Sequence, residues 1–94
     1  MKINQVVILK DFAQKIQRKH QIDTDEICEV FQNQPNFRKL EKGDILGEDV
    51  FGAYGRTNSG RYLSVFFVYK FNQNALIISA RNMNKSERKK YAKK

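Results

Sequence analysis

The chain has 94 residues and a formal net charge of +8, and its 40% hydrophobic content is typical of a folded protein. This length supports a single domain over residues 1–94 and excludes the larger cofactor-binding folds. No apolar run approaches the roughly 20 residues that a membrane-spanning helix needs. A lone cysteine excludes an internal disulfide and a cysteine-based metal site. We therefore expect a cytoplasmic domain without cofactor, metal or membrane partner, whose charge predicts a polyanionic partner, nucleic acid first.

The charge is unevenly distributed along the chain. Residues 1–20 carry a net charge of +4, residues 21–49 carry −5, residues 50–80 carry +3 and residues 81–94 carry +6. A solvated basic tail would explain the last block by itself. The basic residues continue inward, however, at Arg56, Arg61 and Arg81, which favours a localised anion-binding surface.

The first elements follow from apolar spacing. Residues 6–9 are apolar and mostly β-branched, which predicts a short strand or, alternatively, the beginning of the next helix. Phe12, Ile16 and His20 recur every four residues, so they predict one face of a helix over residues 11–20.

A second helix has a clear N-terminal signal. Asp23 with Glu26 three residues later forms a capping-box pattern, and Ile22 with Ile27 matches a hydrophobic staple. We expect this helix to end near residues 32–33.

The second half of the chain changes to a strand pattern. Residues 38–49 are charged and contain glycine, which predicts an exposed loop or a weak edge strand. Runs of aromatic and β-branched residues then predict strands at 50–57, 61–71 and 75–81, separated by turn signals. A final helix over 84–93 is indicated by Asn84 with Glu87. The expected fold is α+β: an antiparallel three- to four-stranded sheet with two N-terminal helices packed on it and a C-terminal helix.

The strand pairing predicts where the arginines meet. A tight turn at residues 57–60 would place Arg56 opposite Arg61, an unfavourable pairing of like charges unless an anion lies between them. A three-residue loop in the second hairpin would place Arg81 opposite Val65, on the same face as Arg61. The alternative is that these are ordinary strand-end arginines in solvent.

The sequence offers few residue types for catalysis. His20 is the single histidine, and at a helix end it is expected to be structural or capping. The acidic residues show no metal-site spacing, so a metal-dependent nuclease is disfavoured. Arginine, lysine, tyrosine and one glutamate can nevertheless support RNA cleavage, because RNA supplies its own 2′-OH nucleophile and guanidinium groups stabilise the charged transition state.

Three segments of the chain resemble motifs of the BrnT-like toxin family. Residues 18–22 and 26–31 resemble its "KHGV…EEVxEVF" opening, and residues 54–63 resemble its "YGRTxxGRYL" hairpin. Residues 77–91 resemble its "ISARxMxxxERxxY" close. The resemblance implies a RelE-like fold and a type II ribonuclease toxin that inhibits translation. It also implies RNA as substrate and a cognate ribbon-helix-helix antitoxin (BrnA-like), with which the toxin would form an oligomeric complex.

The resemblance further implies a set of site residues. The residues expected to act at the scissile phosphate are Arg61, Arg81, Glu87 and Tyr91. The residues expected to bind the RNA backbone are Arg56 and Arg88, which the resemblance implies, and the basic residues Lys85 and Lys89 beside them. Arg61 and Arg81 would hold or polarise the phosphate, and Tyr91 would stack on a base or donate a proton. Glu87 is the nearby carboxylate that could act as a base, although its capping pattern favours a structural role.

A second hypothesis is a degenerate, non-catalytic module that binds RNA or antitoxin. Two departures from the family pattern and the lack of an obvious general base motivate it. Leu9-Lys10-Asp11 stands where the family has Trp-Asp, and Gln21 stands where it has Gly.

Overall fold

A computed structural model describes residues 1–43 and 47–92 of the chain. Over these residues it contains five strands and three helices: β1 (Val6–Val7), α1 (Lys10–His20), α2 (Thr24–Gln32), β2 (Asn36–Glu41), β3 (Asp49–Arg56), β4 (Tyr62–Tyr69), β5 (Ala75–Asn82) and α3 (Lys85–Ala92). The strands form one sheet in the order β1-β5-β4-β3-β2, in which β1 runs parallel to β5 and every other pair is antiparallel.

The α+β class is confirmed, but the predicted sheet is wrong in two respects. The sheet is mixed rather than antiparallel, because Val6 and Val7 pair in parallel with Ala75 and Leu76. It also has five strands within the described residues, since β2 pairs with β3 at the other edge. The edge-strand interpretation of residues 38–49 is therefore correct up to Glu41, and residues 44–46 lie outside the described part. The predicted last helix is found as α3. Residue 93, which the prediction included, lies outside the described part of the chain.

The connection between α1 and α2 is short, and the sequence predicts where α2 begins. The capping box of α2 is confirmed: Glu26 N–H donates to Asp23 Oδ1 at 2.9 Å, and Asp23 N–H donates to Glu26 Oε1 at 3.1 Å. At the end of α1, Gln21 adopts a left-handed conformation with φ 53°, and its N–H donates to Gln17 O at 2.9 Å. Glycine reaches this conformation at lower cost than any other residue, which gives a physical reason for a Gly at this position in the family pattern.

The predicted register of the first hairpin is wrong by one residue. Arg56 pairs with Tyr62, not with Arg61. Arg61 instead faces Thr57 across the turn, where Thr57 N–H donates to Arg61 O at 2.9 Å. Arg56 and Arg61 therefore belong to opposite faces of the hairpin, since successive residues of a strand alternate.

The predicted register of the second hairpin is also wrong. The loop is longer than expected, because β4 and β5 begin their pairing at Tyr69 and Ala75. A β-bulge then inserts Ile78, since Phe67 pairs with Ile77 while Phe66 pairs with Ser79. Arg81 consequently pairs with Ser64 rather than with Val65. An extra residue in one strand moves every later side chain of that strand to the opposite face of the sheet.

The two faces of the sheet have different surroundings. One face carries the buried side chains of Ala53, Leu63, Val65 and Phe67, which form the hydrophobic core with apolar residues of α1 and α2. The opposite face carries Tyr54, Ser64 and Arg81 in register, and α3 lies over this face. None of the described residues of α3 is buried, so this helix adds surface contacts rather than core.

Candidate active site

A carboxylate–guanidinium pair lies where α3 meets the sheet. Glu87 accepts two parallel hydrogen bonds from Arg81, Nη1 to Oε1 and Nη2 to Oε2, both at 2.7 Å. Glu87 Oε1 also accepts from Ser64 Oγ at 2.9 Å and from the Asn84 N–H at 3.0 Å. Bidentate, charge-assisted bonds of this kind are the strongest class of side-chain hydrogen bond.

The local sequence explains why Glu87 is fixed at this place. Asn84 Oδ1 accepts from the Glu87 N–H at 2.8 Å, so Asn84 and Glu87 form a capping box at the beginning of α3. Burial by itself would raise the pKa of Glu87. The hydrogen bonds from Arg81, the Asn84 N–H and Ser64 outweigh burial and hold this pKa below its ordinary value. The same pairing raises the pKa of Arg81, so both groups are charged at neutral pH.

Tyr54 on β3 places a phenol beside this pair. A Cβ added to Gly52 would lie 2.6 Å from the Tyr54 hydroxyl, which shows that the tyrosine ring lies directly over this glycine. Burial raises the pKa of Tyr54, and the negative charge of Glu87 adds to the effect, while Arg38 and Arg81 oppose it. The phenol is therefore neutral at physiological pH and can donate a hydrogen bond.

A second cluster surrounds Tyr62 at the beginning of β4. The guanidinium of Arg88 lies 4.3 Å from the centre of the Tyr62 ring, and that of Arg56 lies 5.7 Å from it. Tyr91 packs edge-on against the same ring, with 5.9 Å between the ring centres. Cation–π contacts hold these arginines in place while leaving their N–H donors available to an anion.

Two cavities open beside these clusters, and Tyr91 lines both. The first, of about 440 Å³, lies between β2 and α3 and is lined by Asn36, Phe37, Arg38, Leu40, Tyr54, Asn84, Ser86, Glu87, Lys90 and Tyr91. The second, of about 630 Å³, lies at the β3–β4 turn and is lined by Arg56 and the turn residues 57–60. The site is thus a groove with tyrosine and cationic walls.

Arg61 lies elsewhere, at the connection between α1 and α2. Its Nη1 donates to Gln21 O at 2.8 Å and to the Glu26 carboxylate at 3.2 Å, and its Nη2 donates to His20 O at 3.0 Å. Its Nε donates to Asn82 Oδ1 at 3.0 Å. One guanidinium therefore joins two helices to β5 and closes the end of α1, where the helix carbonyls lack internal partners.

The structure brings together some of the sequence-predicted residues and separates others. Arg81 and Glu87 are in direct contact, and Arg56, Arg88 and Tyr91 gather around Tyr62. Lys85 and Lys89 are exposed on α3. Arg61 does not join Arg81, because the register that placed them on one face is wrong.

Sequence reasoning missed several residues of the groove, namely Asn36, Arg38, Gly52, Tyr54 and Ser64. The register of the strands is the signal that finds them, because in antiparallel pairs Tyr54 lies beside Ser64 and Ser64 lies beside Arg81. The pairing of Ser64 with Arg81 depends on the bulge at Ile78, which the turn residues do not indicate.

Two further observations concern the described residues alone. They contain no group of three or more His, Cys, Asp or Glu side chains arranged to hold a metal ion. Their helices are all too short or too polar to cross a lipid bilayer.

Comparison with known proteins places the chain in a family. A search of curated proteins found no match to the chain. Among solved structures, the ribonuclease toxin BrnT of Brucella abortus superimposes with a TM-score of 0.63 at 19% sequence identity, covering 89% of this chain and 100% of that chain. At this identity the likeness shows a shared fold. The family model described as "Ribonuclease toxin, BrnT, of type II toxin-antitoxin system" matches residues 11–87, most of the chain. The chain therefore belongs to the BrnT family of ribonuclease toxins from type II toxin–antitoxin systems.

Proposed function

We propose that this chain is an endoribonuclease toxin that inhibits translation by cleaving RNA without a metal ion, in the groove between α3 and the sheet. The observation that carries the proposal is the cluster of Arg81, Glu87, Ser64 and Tyr54 on the face opposite the core. It combines a cation, an ionised carboxylate and a neutral phenol, which can stabilise the transition state, accept a proton and donate a proton in cleavage by an internal 2′-OH.

The proposed reaction is transesterification. The ribose 2′-oxygen attacks the adjacent phosphorus while its proton passes to the Glu87 carboxylate. The bond from phosphorus to the 5′-oxygen breaks, and a tyrosine hydroxyl, from Tyr54 or Tyr91, protonates that leaving oxygen. The products are a 2′,3′-cyclic phosphate and a 5′-hydroxyl end.

Arg81 retains donors for the phosphate in this scheme. Its Nη1 donates to Glu87 and to Asn82 O, and its Nη2 donates once to Glu87. Among the described residues, the Nε–H and the second Nη2–H have no hydrogen-bond acceptor. A guanidinium has five such donors, so these two can stabilise the charge that develops on the phosphate oxygens. Arg61, with its contacts at the α1–α2 connection, supports the frame in which Arg81 lies.

The rest of the proposal concerns binding and partners. Arg56, Lys85, Arg88 and Lys89 would position the RNA backbone, and their affinity would fall with rising salt as counterions compete. A family defined by type II toxin–antitoxin systems implies an antitoxin partner. We propose that it is a BrnA-like ribbon-helix-helix protein that forms an oligomeric complex with this RelE-like toxin in the cytoplasm.

The test is RNA cleavage by the purified chain in EDTA, with the product ends identified by mass. Arg81→Ala should lower the rate by about 10²–10³-fold, the usual effect of removing a donor to a transition-state oxyanion. Lys15→Ala, which removes a positive charge from the exposed surface of α1, is the control. Cleavage that needs a divalent ion, or that survives Arg81→Ala unchanged, would contradict the proposal.

One observation favours a second candidate, a non-catalytic RNA- or antitoxin-binding module. Glu87 already accepts four hydrogen bonds from its neighbours in the described structure, and a carboxylate so occupied is a poor base. This candidate predicts salt-dependent RNA binding without products, and expression that does not slow growth.

A further inference from the structure

We infer that the 440 Å³ cavity between β2 and α3 is a subsite for a single nucleotide of RNA. The base would lie against Leu40 and Asn36, and the phosphate would lie between Arg38 and Lys90. The inference rests on the proposed function, because Glu87 lines this cavity and joins it to the Arg81 cluster. The inference goes beyond the proposed function by naming the cavity in which one base of the RNA substrate binds.

The size of the cavity suits one nucleotide. Pockets for small ligands span about 300–1,000 Å³, and a cavity of about 440 Å³ lies near the lower end of that range. Tyr91 forms a wall shared with the second cavity at the β3–β4 turn. A neighbouring nucleotide would therefore have to pass this ring, and aromatic rings are the usual stacking partners of single-stranded bases.

The walls supply three different chemistries. Arg38 on β2 and Lys90 on α3 provide positive charge from two sides. The Tyr54 and Tyr91 hydroxyls provide donors for sugar or phosphate oxygens. Leu40 provides an apolar wall and is 45% exposed, although it lies in a strand among charged residues. A nucleotide needs all three, since it combines an anionic phosphate, a hydroxylated sugar and a base with apolar faces.

The side chain of Asn36 has a polar atom without a hydrogen-bond donor, which is independent evidence for a ligand. Its Oδ1 is enclosed and has no hydrogen-bond partner among the described residues. Enclosing an acceptor without a donor costs about 1–3 kcal/mol, and proteins rarely leave such atoms unpaired. Every nucleobase carries an N–H donor on its pairing edge. Asn36 lines the cavity, so a rotation of its side-chain amide on binding would bring Oδ1 to the cavity surface, where a base N–H would donate to it.

The experiment is an NMR titration of the ¹⁵N-labelled full chain with adenosine 3′-monophosphate, with ribose 5-phosphate as the probe that lacks a base. We expect the nucleotide to shift the Asn36 side-chain amide and the backbone amides of residues 36–40 and 86–91. Ribose 5-phosphate should bind at least about tenfold more weakly, because it lacks the stacking face and the base donor. Equal affinity of the two probes would overturn the inference.

Variants separate a binding role from a structural one. Asn36→Ala should weaken nucleotide binding about three- to tenfold, as expected for one lost hydrogen bond. It should not lower the thermal midpoint, because it removes an unpaired acceptor. Leu40→Ser should also weaken binding, whereas Leu9→Ser should not, since Leu9 is similarly exposed, at 50%, but lies outside the cavity. Affinity unchanged in both cavity variants would refute the assignment.

The outcomes distinguish the subsite from the cleavage activity. Nucleotide shifts in the cavity without RNA cleavage would refute the catalytic proposal and support the subsite. RNA cleavage without nucleotide shifts at Asn36 would refute the subsite and support the catalytic proposal. If an aspartate-rich peptide shifts these residues and the nucleotide does not, the cavity binds a protein partner and the inference is wrong.

Discussion

Replacing Arg61 by alanine separates a structural arginine from a catalytic one. The guanidinium holds the carbonyls of His20 and Gln21, the Glu26 carboxylate and Asn82 Oδ1. Without it, the end of α1 and the beginning of α2 lose their shared contact with β5. We expect Arg61→Ala to lower stability and to leave the cleavage rate per folded molecule close to that of the wild type.

The magnitude follows from the lost bonds. A net hydrogen bond contributes about 0.5–1.5 kcal/mol, and one to a charged group about 1.5–3 kcal/mol. The Arg61 side chain is 28% exposed, so water replaces part of each lost bond. We therefore expect the free energy of unfolding to fall by about 2–3 kcal/mol, which corresponds to a melting temperature lower by about 10–20 °C in a domain of this size.

The assay is thermal and urea unfolding followed by circular dichroism, with RNA cleavage measured well below the melting temperature. Arg18→Ala, which removes an exposed arginine of α1, controls for the loss of charge and should change stability by less than about 0.5 kcal/mol. Arg81→Ala provides the contrasting profile, with a large loss of cleavage rate per folded molecule. An Arg61→Ala protein that is as stable as the wild type but inactive would refute this reasoning and return Arg61 to the scissile phosphate.

Three further predictions concern the helix end and the groove. Gln21→Gly should raise the free energy of unfolding by about 0.5–1 kcal/mol, because glycine adopts the left-handed conformation without strain; a lower melting temperature would contradict this. Gly52→Ala should slow RNA cleavage by displacing the Tyr54 hydroxyl, and adding Tyr54→Phe should slow it little further, whereas additive losses would show independent roles. Glu87 has a pKa lowered from 4.5 in the folded state, so its stabilising effect is complete above that pH and is lost as the pH falls through the lowered value. Unfolding midpoints of wild type and Glu87→Gln should therefore converge in acid, and a constant difference down to pH 2 would contradict the assignment.

Local signals in the sequence predicted the helices well. The capping boxes at Asp23 and Asn84 are both present as paired hydrogen bonds. Such motifs involve residues three positions apart, so the sequence contains all the information that they need. The edge pairings of β1 and β2 were missed or left open because they join distant segments, and a two-residue strand has almost no pattern of its own.

The sequence indicates residues for the candidate site but not their arrangement. It points to Arg81, Glu87 and Arg61 together, whereas the structure pairs Arg81 with Glu87 and puts Arg61 at a different connection. A single extra residue, Ile78, exchanges the face to which Arg81 belongs. Bulges depend on packing against neighbouring strands rather than on turn residues, so no reading of the loop could have indicated it.

The opposite placement of α2 and α3 gives the molecule a directional field. On the core side of the sheet, Asp25, Glu26 and Glu29 of α2 offset the basic residues of α1, while Lys85, Arg88, Lys89 and Lys90 of α3 leave the other face positive. Separated charges of this kind form an electric dipole. In the field of a polyanion a torque would turn the protein before contact, so that α3 leads and the acidic helix trails. A larger share of collisions with the polyanion would then occur at the face that carries α3. Added salt would screen both the attraction and this orientation.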